Sequence, residues 1–120
     1  QSHEYIFLLS KSQMYYYDNE AVKEPTLDGQ KKRNCRSVWS INTEAYPEAH
    51  FAVFPPSLVR PCILAGSQPG SLVLDPFFGS GTVGEVCIET GRKCIGIELK
   101  QEYVDIAKRR INRASNILFL

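Results

Sequence analysis

The sequence is short of most residues that mark a metal centre, a disulfide scaffold or a membrane anchor. It has two histidines and four cysteines, Cys35, Cys62, Cys87 and Cys94, scattered without a C-x-x-C pair. That spacing argues against both zinc ligation and a disulfide framework. Cys62 and Cys87 lie among apolar residues and read as small buried hydrophobes. No apolar run approaches the roughly 20 residues of a membrane span, and no signal peptide is visible, so the expected location is cytoplasmic. The net charge of +1 removes any global electrostatic signature for nucleic acid and leaves only local basic clusters to supply one. The chain opens on Gln1 rather than Met, which suits a processed or truncated piece.

What is present is ordinary globular material: 43% hydrophobic and 22% charged residues over 120 positions, enough for a single core. Two β-rich runs, "EYIFLLS" at 4–10 and "MYYYD" at 14–18, flank the polar "KSQ" and predict a hairpin. From 19 to about 37 the chain is polar, with Pro25, Gly29 and "KKRNCR", which is loop composition. "PPSLVRPCILAG" then puts Leu58, Val59, Cys62 and Ile63 on one helical face, with Pro56 at the start and Gly66 at the stop.

The second half alternates. "SLVLD" reads as a buried strand, and "TVGEVCIETG" as a helix capped by Gly91. "KCIGIEL" is a second strand. "QEYVDIAKRRINR" is an amphipathic helix with Tyr103, Val104, Ala107 and Ile111 inward and Lys108 to Arg110 mostly outside that stripe. This is a βαβα unit, for which parallel strands and a right-handed crossover are expected.

Between the first strand and its helix lies "DPFFGSGTVG", in which Gly79, Gly81 and Gly84 spell G-x-G-x-x-G. Ligands of open α/β sheets sit beyond the carboxyl ends of the strands, where Asp75 and Glu98 both fall. Glu98 can accept hydrogen bonds from the ribose hydroxyls of any adenosine cofactor. Asp75 discriminates, because a carboxylate beside the glycine turn would repel the two phosphates of a dinucleotide in a partly desolvated site. S-adenosylmethionine brings an ammonium and a sulfonium that suit an acidic wall. Its single carboxylate suits the helix N-terminus and the Thr82 hydroxyl. A P-loop is excluded because no Lys follows the glycines.

From about His3 to Arg113 the chain also resembles the C-terminal half of β-class DNA amino-methyltransferases. These enzymes methylate adenine N6 or cytosine N4 and are common in restriction–modification systems. "HEYIFLLSKS" is similar to their motif VIII, "HFAVFPPSLV" to motif X, "DPFFGSGT" to motif I, and "GIEL" followed by "EY" to motif II. The resemblance implies an incomplete Rossmann-like, S-adenosylmethionine-dependent methyltransferase fold: a βαβα unit plus an N-terminal β-hairpin. Its parts would be a hairpin at 1–18, a variable, target-recognition-like loop at 19–43, and a cofactor-binding part at 44–120.

By the same resemblance, His50, Phe51, Phe54, Pro55 and Ser57 would flank the methionine end of S-adenosyl-L-methionine. Asp75, Pro76, Phe77, Gly79, Ser80, Gly81 and Thr82 would wrap the methionine and sulfonium. Glu98 would hold the ribose and Leu99 would pack on adenine. Phe78 and Val83 stand where the family often has Gly and Thr, and Lys100-Gln101 replaces a frequent Asn-Pro helix opening. Lys31, Lys32, Arg33 and Arg36 read either as contacts to DNA phosphates or as a solvated basic loop. Trp39 reads equally as a packing anchor or a DNA contact.

The family's catalytic tetrapeptide, (Asp/Asn/Ser)-Pro-Pro-(Tyr/Phe), is absent. The only Pro-Pro, Pro55-Pro56, has Phe54 before it and Ser57 after it. In β-class order that tetrapeptide precedes motif VIII, which places it upstream of Gln1. Two readings therefore stand: the cofactor-binding portion of a DNA methyltransferase completed by another segment, or a non-catalytic protein of the same descent that binds S-adenosylmethionine or assembles with a partner or a copy of itself. Whether adenine or cytosine is the target stays open.

Overall fold

The computed structural model describes residues 3–44, 47 and 53–118. Helix α1 spans Pro56–Gly66, strand β3 Leu72–Asp75, helix α2 Thr82–Glu89, strand β4 Lys93–Gly96 and helix α3 Gln101–Leu118. They follow two short antiparallel strands, β1 at Glu24–Pro25 and β2 at Lys32–Arg33. β3 and β4 pair in parallel, with Val73 opposite Cys94, Leu74 opposite Ile95 and Asp75 opposite Gly96. The βαβα reading of the second half is thereby borne out.

α1 begins as its prolines dictate. Pro55 is extended at the N-cap and Pro56 occupies the first turn, where a missing N–H costs nothing. Pro61 is accommodated inside the helix. The helix includes Gly66 but is closed by extended Ser67, whose N–H and Oγ both donate to the Ile63 carbonyl, at 3.1 and 2.6 Å. α2 ends as expected on left-handed Gly91, φ 72°. Arg92 N–H reaches Cys87 O and Gly91 N–H reaches Ile88 O, the paired bonds of a Schellman turn. Arg92 is itself buried and donates to the Ser67 and Thr90 carbonyls at 2.7 and 2.5 Å, tying the ends of α1 and α2 together.

The core forms where Val59 and Ile63 of α1 meet Val86 and Cys87 of α2, with Val73 and Cys94 packed against them from the sheet. Cys62 corrects one expectation. It is exposed, while Val59, Ile63 and Ala65 are the residues of α1 that are buried. Another correction concerns α3, whose buried stripe is Tyr103, Ile106, Ala107, Arg110 and Ala114. Arg110 belongs to it rather than to the outer face, while Val104 and Ile111 are only half-buried.

Successive strand residues face opposite ways. Val73 and Cys94 face the helices, so Leu72, Leu74, Ile95 and Ile97 face away and remain 50–61% exposed. No described element covers that face of the sheet.

The expected hairpin at 4–18 carries no strand pairing among the described residues, only a bend at 11–13. Its apolar side chains are open to solvent, from Tyr16 at 41% to Met14 at 89% exposed, and a two-stranded ribbon without a third strand or a packed face is marginal. Strand-like alternation survives locally, since the His3, Tyr5 and Phe7 rings meet in sequence, edge-to-face at 5.5 Å and tilted at 6.2 Å. The segment expected to be all loop instead holds the β1–β2 ribbon. Its turn is closed by Thr26 and left-handed Gly29 and joined across by Arg33 Nε to Glu24 Oε1 at 2.9 Å.

Candidate functional site

The glycine turn is held by the end of β4. Ile97 N–H donates to Asp75 O at 3.0 Å, and Phe78 N–H donates back to Ile97 O at 2.9 Å. Asp75 Oδ1 accepts the Phe77 N–H at 3.0 Å, so the carboxylate folds over its own turn. Glu98 Oε2 accepts the Gly79 N–H at 2.9 Å and Oε1 the Lys100 N–H at 2.8 Å. Those N–H donors, Lys100 foremost, hold the Glu98 carboxyl below its usual range. A carboxylate offers about four acceptor positions, so Glu98 keeps capacity for a ligand.

The glycines are there for separate reasons. Gly81 has φ 86°, and a Cβ on it would lie 2.8 Å from the Ala107 Cβ, so α3 can approach the turn only because Gly81 is bare. A Cβ on Gly96 would fall 2.2 to 2.5 Å from the Phe78 ring, and one on Gly84 would fall 2.6 Å from its tip. Phe78 thus fills a notch between β4 and α2 that two glycines create.

α2 begins at Gly81 without a side-chain cap, leaving the amide N–H groups of its first turn open to an acceptor. In front of it lies a cleft of about 500 Å³. Of the residues expected around a cofactor, Phe54, Asp75, Phe77, Gly79, Ser80, Thr82 and Glu98 line it. Pro76 and Gly81 belong to the turn but not to the lining. Ser57 donates to Glu44 Oε1 at 3.1 Å outside the cleft, and Pro55 borders a smaller hollow of about 200 Å³ beside it. Leu99 is 97% exposed and packs on nothing. His50 and Phe51 lie outside the described residues.

Val53, Phe78, Val83, Lys100 and Tyr103 also line the cleft and were not singled out as site residues from the sequence. The Lys100 ammonium lies 5.9 Å from the centre of the Tyr103 ring. Arg110 was likewise missed. It donates from Nε to Glu85 Oε2 at 2.5 Å and from Nη1 to Thr82 Oγ1 at 2.9 Å. Its signal was present, since Tyr103, Ala107, Arg110 and Ala114 recur at helical-face spacing.

The basic cluster divides. Arg33 and Arg36 both turn to Glu24, while Lys31 and Lys32 are exposed at the ribbon. Trp39 is half-buried and donates to the Arg36 carbonyl at 2.6 Å. No group of three or more metal-ligating side chains occurs among the described residues, and no described helix is long and apolar enough to cross a membrane.

Parallel strands ending in carboxylates around a glycine turn, backed by helices on one face, define a partial Rossmann-like α/β protein. A family model described as DNA methylase (N6_N4_Mtase) matches residues 1–109, and the chain belongs to that family. It is 62% identical over 114 residues to the type II methyltransferase M.SmaI of Serratia marcescens, covering 94% of this chain and 39% of that protein. It is 58% identical over 111 residues to M.Cfr9I of Citrobacter freundii, covering 92% of this chain and 37% of that one. The chain thus spans well under half the length of these curated relatives. Among solved structures it is similar to the PvuII DNA methyltransferase (cytosine-N4-specific), with a TM-score of 0.69 and 26% identity over 89% of this chain and 43% of that one. It is also similar to an M1.HpyAVI–SAM complex, with a TM-score of 0.51 and 41% identity over 53% of this chain and 33% of that chain.

Proposed function

We propose that this chain is the S-adenosylmethionine-binding portion of a DNA methyltransferase acting on an exocyclic amine, adenine N6 or cytosine N4. The observation that carries the reading is that Asp75, at the end of β3, and Glu98, just beyond the end of the adjacent parallel β4, share one cleft with an uncapped helix N-terminus. The donor set suits the molecule. Asp75 supplies negative charge for the ammonium and sulfonium, Glu98 has acceptor capacity for ribose hydroxyls, and the first amides of α2 suit the carboxylate. Phe54 and Phe77 offer exposed rings at the mouth. When bound, the cofactor supplies the methyl group on its sulfonium. Membership in the DNA methylase family and likeness to a structure solved with SAM support the assignment.

The catalytic tetrapeptide is missing from these 120 residues, so the base-handling chemistry has to come from other polypeptide. The bare sheet face of Leu72, Leu74, Ile95 and Ile97 supports such a neighbour, as an exposed apolar surface of this kind calls for cover. Exposed Lys31 and Lys32 suit phosphate contacts in the complete enzyme. The tetrapeptide's absence equally favours a second reading, a non-catalytic subunit that binds the cofactor and assembles with a partner.

Calorimetric titration with S-adenosylmethionine tests the common ground. The wild type is expected to bind, and Asp75→Ala to bind at least about tenfold more weakly, the scale of one lost charge-assisted contact. Absence of binding by the wild type would overturn the proposal. The 120 residues alone are expected to leave DNA unmethylated, and mass spectrometry of digested nucleosides showing N6-methyladenine or N4-methylcytosine would refute that part.

A further inference from the structure

We infer that Arg110 is a positioning residue that sets the glycine turn to receive the carboxylate of the cofactor's amino-acid end, an inference that rests on the S-adenosylmethionine reading above. Arg110 lies on α3, and its side chain is only 6% exposed. A guanidinium so deep is costly unless its donors are matched. Nε is matched by Glu85 Oε2 at 2.5 Å, which balances the charge. Nη1 points into the turn, donating to Thr82 Oγ1 at 2.9 Å and reaching Ser80 Oγ at 3.4 Å. Ser80 and Thr82 are themselves 4% and 5% exposed, and both border the 500 Å³ cleft.

The direction of these bonds gives them meaning. A guanidinium can only donate, so each hydroxyl that accepts from it keeps its own proton to give elsewhere. Thr82, and Ser80 behind it, are thereby turned into donors beside the open amides at the start of α2. This side of the cleft selects an anionic group. Asp75 and Glu98, which line the same cleft, select cationic and hydroxyl groups. One molecule carrying a carboxylate at one end and a ribose at the other is fixed in a single orientation. Glu85 keeps the guanidinium from acting as a free counter-charge, so recognition passes through the hydroxyls.

The test compares two probes on the intact protein by calorimetry: S-adenosylhomocysteine, and methylthioadenosine, which keeps adenosine and sulfur but lacks the amino-acid end. Arg110→Met is expected to weaken S-adenosylhomocysteine by about tenfold or more, the worth of a hydrogen bond to a charged group, and to leave methylthioadenosine unchanged. Thr82→Val, which keeps Arg110 and Glu85 paired, is expected to show the same selective loss and serves if Arg110→Met does not fold. Equal weakening of both probes by either variant would make Arg110 a structural brace and overturn the inference, as would no weakening at all. Failure of the wild type to bind either probe would bring down the cofactor reading itself, and this inference with it.

Discussion

Gly96→Ala should be the most informative single methyl group in this chain. Its Cβ would stand 2.2, 2.3 and 2.5 Å from three atoms at the root of the Phe78 ring, well inside contact distance. The ring cannot retreat toward α2, where Gly84 already leaves room for nothing larger than hydrogen. Nor can its backbone move freely, because Phe78 N–H is bonded to Ile97 O at 2.9 Å. Overpacking of this kind costs about 1–3 kcal/mol. In a chain of this size that corresponds to a fall in Tm of roughly 4 °C per kcal/mol. Phe78 also lines the cleft, so a ring pushed out of its notch enters the space proposed for cofactor. Gly96→Ala should therefore lower both the unfolding midpoint and the affinity for S-adenosylmethionine. Phe78→Ala removes the ring and should make the alanine at 96 tolerable. The double-mutant cycle, read by urea unfolding, should show a favourable coupling of about 1–2 kcal/mol. Strict additivity, or a neutral Gly96→Ala, would refute the notch.

Glu98 makes a pH prediction. Its carboxyl is held below the ordinary value of 4.5, so the stabilisation it contributes is complete above that pH and is lost as pH falls through the lowered folded value. The stability gap between wild type and Glu98→Gln should be wide at pH 7 and close in strong acid, and a gap that widened on acidification would contradict the hydrogen bonds to Lys100 and Gly79. The cysteines should separate in alkylation followed by mass spectrometry: exposed Cys62 should label in the folded protein. Cys87, fully buried and pushed up to about 12 by burial and the neighbouring Cys94 thiol, should label only after denaturation.

The second half was legible in the sequence because several local signals agreed there. Pro56 fixed where α1 starts, Gly91 fixed where α2 ends, and two short apolar runs bounded by polar residues fixed β3 and β4. Asp75 and Glu98 were legible as strand-end residues for the same reason. Periodicity could not reveal Arg110 while arginine was counted as an outward residue, although it shares the face of Tyr103 and Ala107. It is buried because Glu85, Ser80 and Thr82, from 25 to 30 residues away, provide its partners. Cys62 failed in the opposite sense, since an apolar neighbourhood in sequence does not say which side of a helix meets the core. The 4–18 segment has strand-forming residues, but strand formation needs an adjacent strand, and nothing in those residues specifies one.

That dependence on neighbours separates the glycine turn from the apolar surfaces around it. The turn from Asp75 to Thr82 is over-determined within 120 residues: β4 bonds it through Ile97, Glu98 bonds it through Gly79, and α3 presses Ala107 on Gly81 and Arg110 on Thr82. Such a turn can keep its shape without a partner. The sheet beneath it has only two described strands, with apolar Leu72, Leu74, Ile95 and Ile97 open on one face, and the aromatic run from Tyr5 to Tyr17 is equally open. Surfaces of that composition are stable in water only at a cost, and burying them would stabilise by about 25 cal/mol per Å². Cofactor affinity should therefore depend weakly on whatever completes the sheet, whereas global stability should depend on it strongly. Adding the completing polypeptide should raise Tm by several degrees while changing the Kd for S-adenosylhomocysteine little. A large gain in affinity with no gain in Tm would mean that the turn is not preformed.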